Sequence, residues 1–241
     1  MASSPVIVFP LYPQVTFLDF IGPQSALQML PGAKLVFASV GAKPISEGAL
    51  TLTSLTRLED LERCDVLCVP GGLCVEPMED AVYLAAIRRL ASTARYVTSV
   101  CTGSLILGMA GLLEGRRAAC HWAMRDLLAS FGAIPDSGRV VRDGNILTGG
   151  GVTAGVDFGL TLAAELAGPV VAQSIQLMLE YAPEPPFNAG RPDTAPKEIL
   201  DFVQNQGPLD IKAGLAALQG VAAGYRVGRD GYALPTGGLS S

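Results

Sequence analysis

Short runs of aliphatic and β-branched residues alternate along the chain with longer stretches of helical period. Pro5 to Pro10 (PVIVFP) is apolar at nearly every position, the pattern of a strand buried on both faces. Leu35 to Val40 and Cys64 to Val69 repeat it, the second ending in Pro70-Gly71-Gly72, and Tyr96 to Val100 is a further strand. From Asp80 to Ala94 the period changes: Tyr83, Leu84, Ile87, Leu90 and Ala91 form the apolar stripe of an amphipathic helix. Other helices are predicted from Pro23 to Leu30, with proline in the first turn, from Thr102 to Leu113, and from His121 to Phe131, stopped by Gly132. Ala118 to Cys120 reads as a short strand, and Val140 to Thr148 as a hairpin turning on Asp143-Gly144-Asn145. A long buried helix then runs from Val152 to Ala167, and another reaches Tyr181. Alternation of strands with helices, in strands that do not alternate in polarity, predicts an α/β fold. Its core is a doubly wound, mostly parallel sheet with helices on both faces.

The pattern changes after Tyr181. Ala182-Pro183-Glu184-Pro185-Pro186-Phe187-Asn188 is a proline-rich crossing that leads to a predicted helix from Pro196 to Gln206 and an Ala/Gly-rich end. The expected organisation is an α/β domain over 1–181 and a C-terminal helical extension over 182–228, packed on the core or on a dimer partner. A flexible tail is expected over 229–241. No internal repeat is present.

Composition narrows the function. The 241 residues are 49% hydrophobic and only 16% charged, so a globular chain with further surface to bury in an oligomer is expected. A net charge of -5 with no basic stripe excludes nucleic acid as a partner. No stretch of about 18 apolar residues runs unbroken; Val152 to Val171 comes nearest and is interrupted by Asp157 and Glu165, which argues against membrane insertion. Met1-Ala2-Ser3-Ser4 lacks the basic and apolar segments of a secretory signal, and the five cysteines are an odd number. A reducing, cytoplasmic location is expected.

In open α/β sheets ligands bind beyond the carboxyl ends of the strands. Those ends lead here to Asp19, to Gly71-Gly72-Leu73, to Cys101-Thr102, to His121, and to Gly149-Gly150-Gly151-Val152-Thr153. One thiol, one acid, one imidazole and two glycine-lined turns therefore share a rim. Cys101 lies where a strand breaks into Thr102-Gly103-Ser104 and then an apolar helix, the elbow that lifts a nucleophile clear of a sheet. The adjacent helix N-terminus is expected to lower its pKa. Asp19, flanked by Phe17, Leu18, Phe20 and Ile21, is expected to hold its proton and to act in proton transfer. Backbone N–H groups at Gly71, Gly72 and Leu73 are candidates for an oxyanion hole, with a plain turn as the alternative. His121, Gly151 and Thr153 are candidate supporting residues. Cys64 and Cys68 are read as core packing, Cys120 as rim or core packing, and Cys74 as a loop thiol of no assigned role. His121 is the single histidine and the cysteine spacings do not form zinc knuckles, so no metal site is expected. The Gly149–Gly151 run lacks the G-x-G-x-x-G spacing of a dinucleotide site.

Leu18-Asp19-Phe20-Ile21-Gly22-Pro23, Val69-Pro70-Gly71-Gly72, Val100-Cys101-Thr102-Gly103 and Gly149-Gly150-Gly151-Val152-Thr153-Ala154-Gly155 together resemble the ThiJ/PfpI superfamily. The resemblance covers residues 5 to 181 and implies a flavodoxin-like fold, a reactive cysteine and a homodimer whose neighbour closes the pocket. Thr102 stands where the protease-like branch has histidine, and Asp19 where another branch has glutamate, which turns the reading from peptide hydrolysis and from glyoxalase or deglycase chemistry. Asp19, Cys101 and Thr102, with the segment from Tyr181 to Gly190, are most similar to the isonitrile hydratase branch. That branch implies addition of water to an isonitrile with no cofactor, with Cys101 as nucleophile, Asp19 as acid and base, and Thr102 orienting one of them. The alternatives are a non-enzymatic thiol or ligand sensor and a glyoxalase-like enzyme. AraC-type regulators carry a similar domain, but the 60 residues after Tyr181 do not read as a DNA-binding region.

Overall fold

A computed structural model describes residues 4–206, 211–227 and 233–235. In chain order the strands are β1 (Val6–Pro10), β2 (Lys34–Ser39), the hairpin β3 (Ile45–Glu47) and β4 (Leu50–Leu52), β5 (Thr56–Arg57), β6 (Val66–Val69) and β7 (Tyr96–Val100). They continue with β8 (Arg117–Ala118), β9 (Ile134–Pro135), the hairpin β10 (Val140–Asp143) and β11 (Ile146–Gly149), β12 (Tyr225–Val227) and β13 (Ala233–Pro235). The helices are α1 (Phe17–Leu27), α2 (Val75–Glu79), α3 (Ala81–Thr93), α4 (Gly103–Met109), α5 (Ala154–Ala167), α6 (Pro169–Met178), α7 (Lys197–Gln206) and α8 (Ile211–Ala223).

The central sheet has seven strands in the order β10-β11-β7-β6-β1-β2-β5. Every neighbouring pair is parallel except the β10/β11 hairpin. This is the mostly parallel α/β sheet expected from the run-like strands. β6, β7 and β11 are buried at every position, which is why their sequences carry no alternation. One helical layer is α1, α5 and α6; the other is α2, α3, α4, α8 and a 3-10 segment at Arg125–Phe131. From β1 the chain moves outward to β2 and β5, then returns to place β6 on β1's other side. The gap between the ends of β1 and β6 is thus the topological switch point, where such sheets bind ligands.

Several boundaries depart from the sequence reading. The first helix starts at Phe17 and encloses Pro23, instead of opening on it. Its first turn is held from a distance, because Phe17 N–H donates to Glu47 Oε2 on β3 at 2.9 Å. Pro23 is accommodated because the facing helix α5 has no side chain there: a Cβ on Gly155 would lie 2.9 Å from Pro23 Cδ, and one on Gly159 would lie 3.0 Å from Pro23 Cα. The helix predicted to Leu113 ends at Met109, and the one predicted from His121 begins only at Arg125, as a 3-10 helix. Gly132 ends it at a left-handed φ of 72°, as expected of a glycine stop. The C-terminal extension packs on its own chain, with Leu218 and Ala222 of α8 buried. Of the predicted tail, Ala233–Pro235 pairs antiparallel with Tyr225–Val227, and the rest lies outside the described residues. No helix among the described residues is long and apolar enough to cross a membrane.

Candidate active site

The loops leaving β1 and β6 are sewn together at the switch point. Thr16 N–H donates to Gly71 O at 2.9 Å, Leu73 N–H to Gln14 O at 3.1 Å, and Val15 bridges Gly72. Tyr12 adds a buried hydroxyl that donates to Pro70 O at 3.1 Å. One turn further on, Asp19 stands in the first turn of α1, fully buried. Its Oδ2 accepts the Gly71 N–H at 3.0 Å, while Oδ1 has no hydrogen-bond partner among the described residues.

Cys101 takes φ = 59°, a left-handed conformation rare outside glycine, and is only 5% exposed. The strand–elbow–helix reading therefore holds in the backbone itself. The turn is fastened from below, with Cys101 N–H shared between Gly149 O (3.1 Å) and Gly150 O (2.9 Å). The Ser99 and Ser104 hydroxyls are 2.8 Å apart across the elbow, and Ser104 Oγ also donates to Ala119 O at 2.5 Å.

Gly71 is where the three principal residues meet. A Cβ there would be 2.6 Å from Asp19 Oδ2, 2.6 Å from Thr102 N and 2.8 Å from Cys101 Cβ. Only glycine lets the acid and the elbow approach this closely. Asp19, Cys101, Thr102, Gly71 and Gly72 thus form one contiguous cluster.

The charge state differs from the sequence expectation. Burial pushes the Cys101 thiol well above the ordinary thiol range, and the Asp19 charge adds to that. The N–H groups of Val152 and Thr102 act in the opposite direction, but they do not prevail. The short α4, seven residues long, does not offset that burial. Burial also raises Asp19, to about 7, against the lowering effect of the Cys101 thiol and of Gly71 N–H. Acid and thiol therefore titrate as a pair, with Asp19 giving up its proton first. Burial likewise holds the Cys64, Cys68 and Cys74 thiols up at about 12.

Two further expectations are revised. The N–H groups proposed as an oxyanion hole are already engaged: Gly71 to Asp19, Gly72 to Thr102 Oγ1 at 2.9 Å, and Leu73 to Gln14 O. The donors beside the sulfur are the Thr102 and Val152 N–H groups instead. The Thr102 hydroxyl turns to neither Asp19 nor the sulfur; it donates to Gly72 O at 2.7 Å and accepts from Gly72 N–H. It latches the turn that holds Asp19. His121 Nδ1 accepts from Ala123 N–H at 3.3 Å. Its ring lies against Gly151, where a Cβ would be 3.0 Å from His121 Cδ2, and burial lowers its pKa. Thr153 Oγ1 accepts from Arg139 Nη2 at 3.4 Å.

A cleft of about 400 Å³ adjoins the elbow, lined by Cys120, His121, Trp122, Gly150, Val152 and Gly190 among others. Gly190 to Asp193 bring the C-terminal extension into its wall. Among the described residues no cluster of three His, Cys, Asp or Glu side chains could hold a metal ion.

A strained cysteine elbow, a buried acid and a doubly wound sheet define a class, and comparison with known proteins gives it a family. The DJ-1/PfpI family profile matches residues 6–165, and the chain belongs to that family. It is a homologue of the isonitrile hydratase of Pseudomonas putida, 53% identical over 208 residues that cover 86% of this chain and 91% of that enzyme. A crystal structure of a ThiJ/PfpI family protein from Pseudomonas syringae superposes with a TM-score of 0.82 at 40% identity, covering 90% of this chain and 91% of the other. The chain is also 32% identical to the HTH-type transcriptional regulator CdhR of Pseudomonas aeruginosa over 145 residues, 58% of this chain and 42% of that protein.

Proposed function

We propose that this chain is an isonitrile hydratase, converting R–N≡C and water to the N-substituted formamide R–NH–CHO. The observation that carries the reading is the Asp19–Cys101 pair closed around Gly71, in a chain 53% identical to an enzyme of that activity. The terminal carbon of an isonitrile accepts both a nucleophile and a proton. A thiol beside a carboxylate supplies both at one point.

Because Asp19 titrates before Cys101, the pair above about pH 7 is a carboxylate with a neutral thiol, and this is the working form. As the sulfur adds to the terminal carbon, Asp19 takes the thiol proton and delivers it to the same carbon, giving the thioimidate R–N=CH–S–Cys101. Asp19, ionised again, removes a proton from the attacking water and passes it to the imine nitrogen, giving the adduct R–NH–CH(OH)–S–Cys101, whose hydroxyl proton is left for the departing sulfur. Collapse of the tetrahedral adduct expels the sulfur, which recovers its proton, and releases the formamide. No cofactor enters this sequence. The N–H groups of Thr102 and Val152 stabilise charge on sulfur, and Gly71 N–H holds Asp19. The functional unit is a homodimer in the cytoplasm.

Incubation with cyclohexyl isocyanide, followed by chromatography of the formamide, tests this. Wild type should turn over and Cys101→Ala should not. Absence of wild-type turnover, or full activity in Cys101→Ala, would overturn the proposal.

A further inference from the structure

Resting on the hydratase reading, we propose that Arg125 is a specificity residue and that the preferred substrate is an isonitrile whose R group carries a carboxylate. The cleft adjoins the nucleophile directly: Gly150 O accepts the Cys101 N–H at 2.9 Å, and the Val152 N–H lies beside the sulfur, so two lining residues touch the elbow. An R group leaving the sulfur on that side enters a space whose volume suits a small molecule.

Arg125 lines that space, half-buried, at the start of the 3-10 segment. The charges around it are otherwise paired. Arg139 is held by Asp157 at 2.7 Å, Arg191 by Asp193 at 3.0 Å, and Asp136 by Arg117 at 3.0 Å. Asp136 and Asp193 are near enough to feel the Arg125 charge. Yet among the described residues Arg125 makes no ion pair within 4.0 Å and no hydrogen bond. It is the surplus cation of this wall, on a chain whose net charge is -5.

A guanidinium presents its donors in a planar fork that fits a carboxylate with two parallel bonds. Leaving that fork unused and partly desolvated is unfavourable, and a bound carboxylate removes the cost. Cys120, five positions earlier, feels the Arg125 charge and in turn acts on Cys101. Gly150 and Val152, which touch the elbow, line the same cleft as Arg125, so the anion-binding wall and the reacting sulfur are neighbours.

The test compares isocyanoacetate with its methyl ester, which shares the isonitrile carbon but lacks the charge, in wild type, Arg125→Gln and Arg125→Lys. Wild type is expected to prefer isocyanoacetate in kcat/KM by about tenfold or more, chiefly through KM. In Arg125→Gln the ratio between the two substrates should collapse towards one, and Arg125→Lys should keep part of it. A wild type that hydrates cyclohexyl isocyanide without preferring the acid overturns the proposal and leaves the hydratase reading intact, as does an unchanged ratio in Arg125→Gln. If no isonitrile is turned over, the hydratase reading fails, and calorimetry with N-formylglycine still decides the site. Binding to wild type that weakens about tenfold in Arg125→Gln supports carboxylate recognition, and equal or absent binding overturns it.

Discussion

Asp19 is zero per cent exposed, and the Gly71 N–H and the Cys101 thiol compensate its charge less than burial penalises it, so its pKa rises to about 7. Below that value acid and thiol are both protonated and neither base nor nucleophile is present. Above it, the pair holds one negative charge. The expected pH profile of kcat/KM therefore rises through about 7. A profile that falls there would mean the protonated carboxyl is the working form. The same shift sets a stability signature. Between 3.8, the ordinary value, and about 7, the folded chain keeps a proton the unfolded chain has released. The linked stability is therefore fully present below 3.8 and lost as pH rises through about 7, by up to about 4 kcal/mol. Asp19→Asn should match wild type in melting temperature near pH 4 and exceed it at pH 8, while losing at least about 10²-fold in rate. Calorimetry and turnover at both pH values check this; a variant that melts below wild type at pH 8 argues that Asp19 is chiefly a structural cap. The acid was legible from its apolar flanks, and the elbow from its strand-to-glycine break. The order in which the two titrate was not, because it depends on burial that neither segment encodes alone.

At the scale of elements, two contacts hold α1 and α4 in register with the switch-point loops. The Thr102 hydroxyl takes both the N–H and the C=O of Gly72. Thr102→Val leaves both without that partner, with an expected loss of about 1 to 3 kcal/mol and slower turnover as Asp19 loses its fixed Gly71 donor. Thr102→Ser, which restores the hydroxyl, should recover both; thermal melts beside kinetics distinguish the latch from a direct chemical role, in which Thr102→Val would lose rate without loss of stability. The second contact is α1 on α5. A Cβ on Gly159 would lie 3.0 Å from Pro23 Cα and 3.2 Å from Pro23 O, both backbone atoms that cannot turn aside. Gly159→Val should cost about 1 to 3 kcal/mol and lower kcat more than KM by moving Asp19. Retention of wild-type kcat would show that the α1–α5 spacing does not set the acid's position. Pro23 was misread as a helix start because its usual place is the first turn. The close approach that tolerates it within α1 comes from glycines more than 130 positions away.

Across the whole molecule, apolar surface remains on the layer formed by α1, α5 and α6. Val170 and Leu177, one heptad apart on α6, are 75% and 81% exposed, and Leu18 and Ile21 of α1 are exposed on either side of the buried Asp19. The proposed homodimer would cover such surface. Sedimentation velocity should find a dimer for wild type and a shift towards monomer for Leu177→Asp; a monomeric wild type would remove the dimer from the proposal. The sequence by itself determined the parallel α/β sheet, because strands buried on both faces must be apolar throughout. It also determined the elbow at Cys101 and the presence of Asp19 on the same rim, since strand ends in such a sheet converge. Only the tertiary structure decided that Thr102 serves the backbone, that the expected oxyanion donors are engaged, and that burial raises the Cys101 thiol as well as Asp19. Those properties arise from long-range contacts and from desolvation, and neither the local helix dipole nor the spacing of residues along the chain contains them.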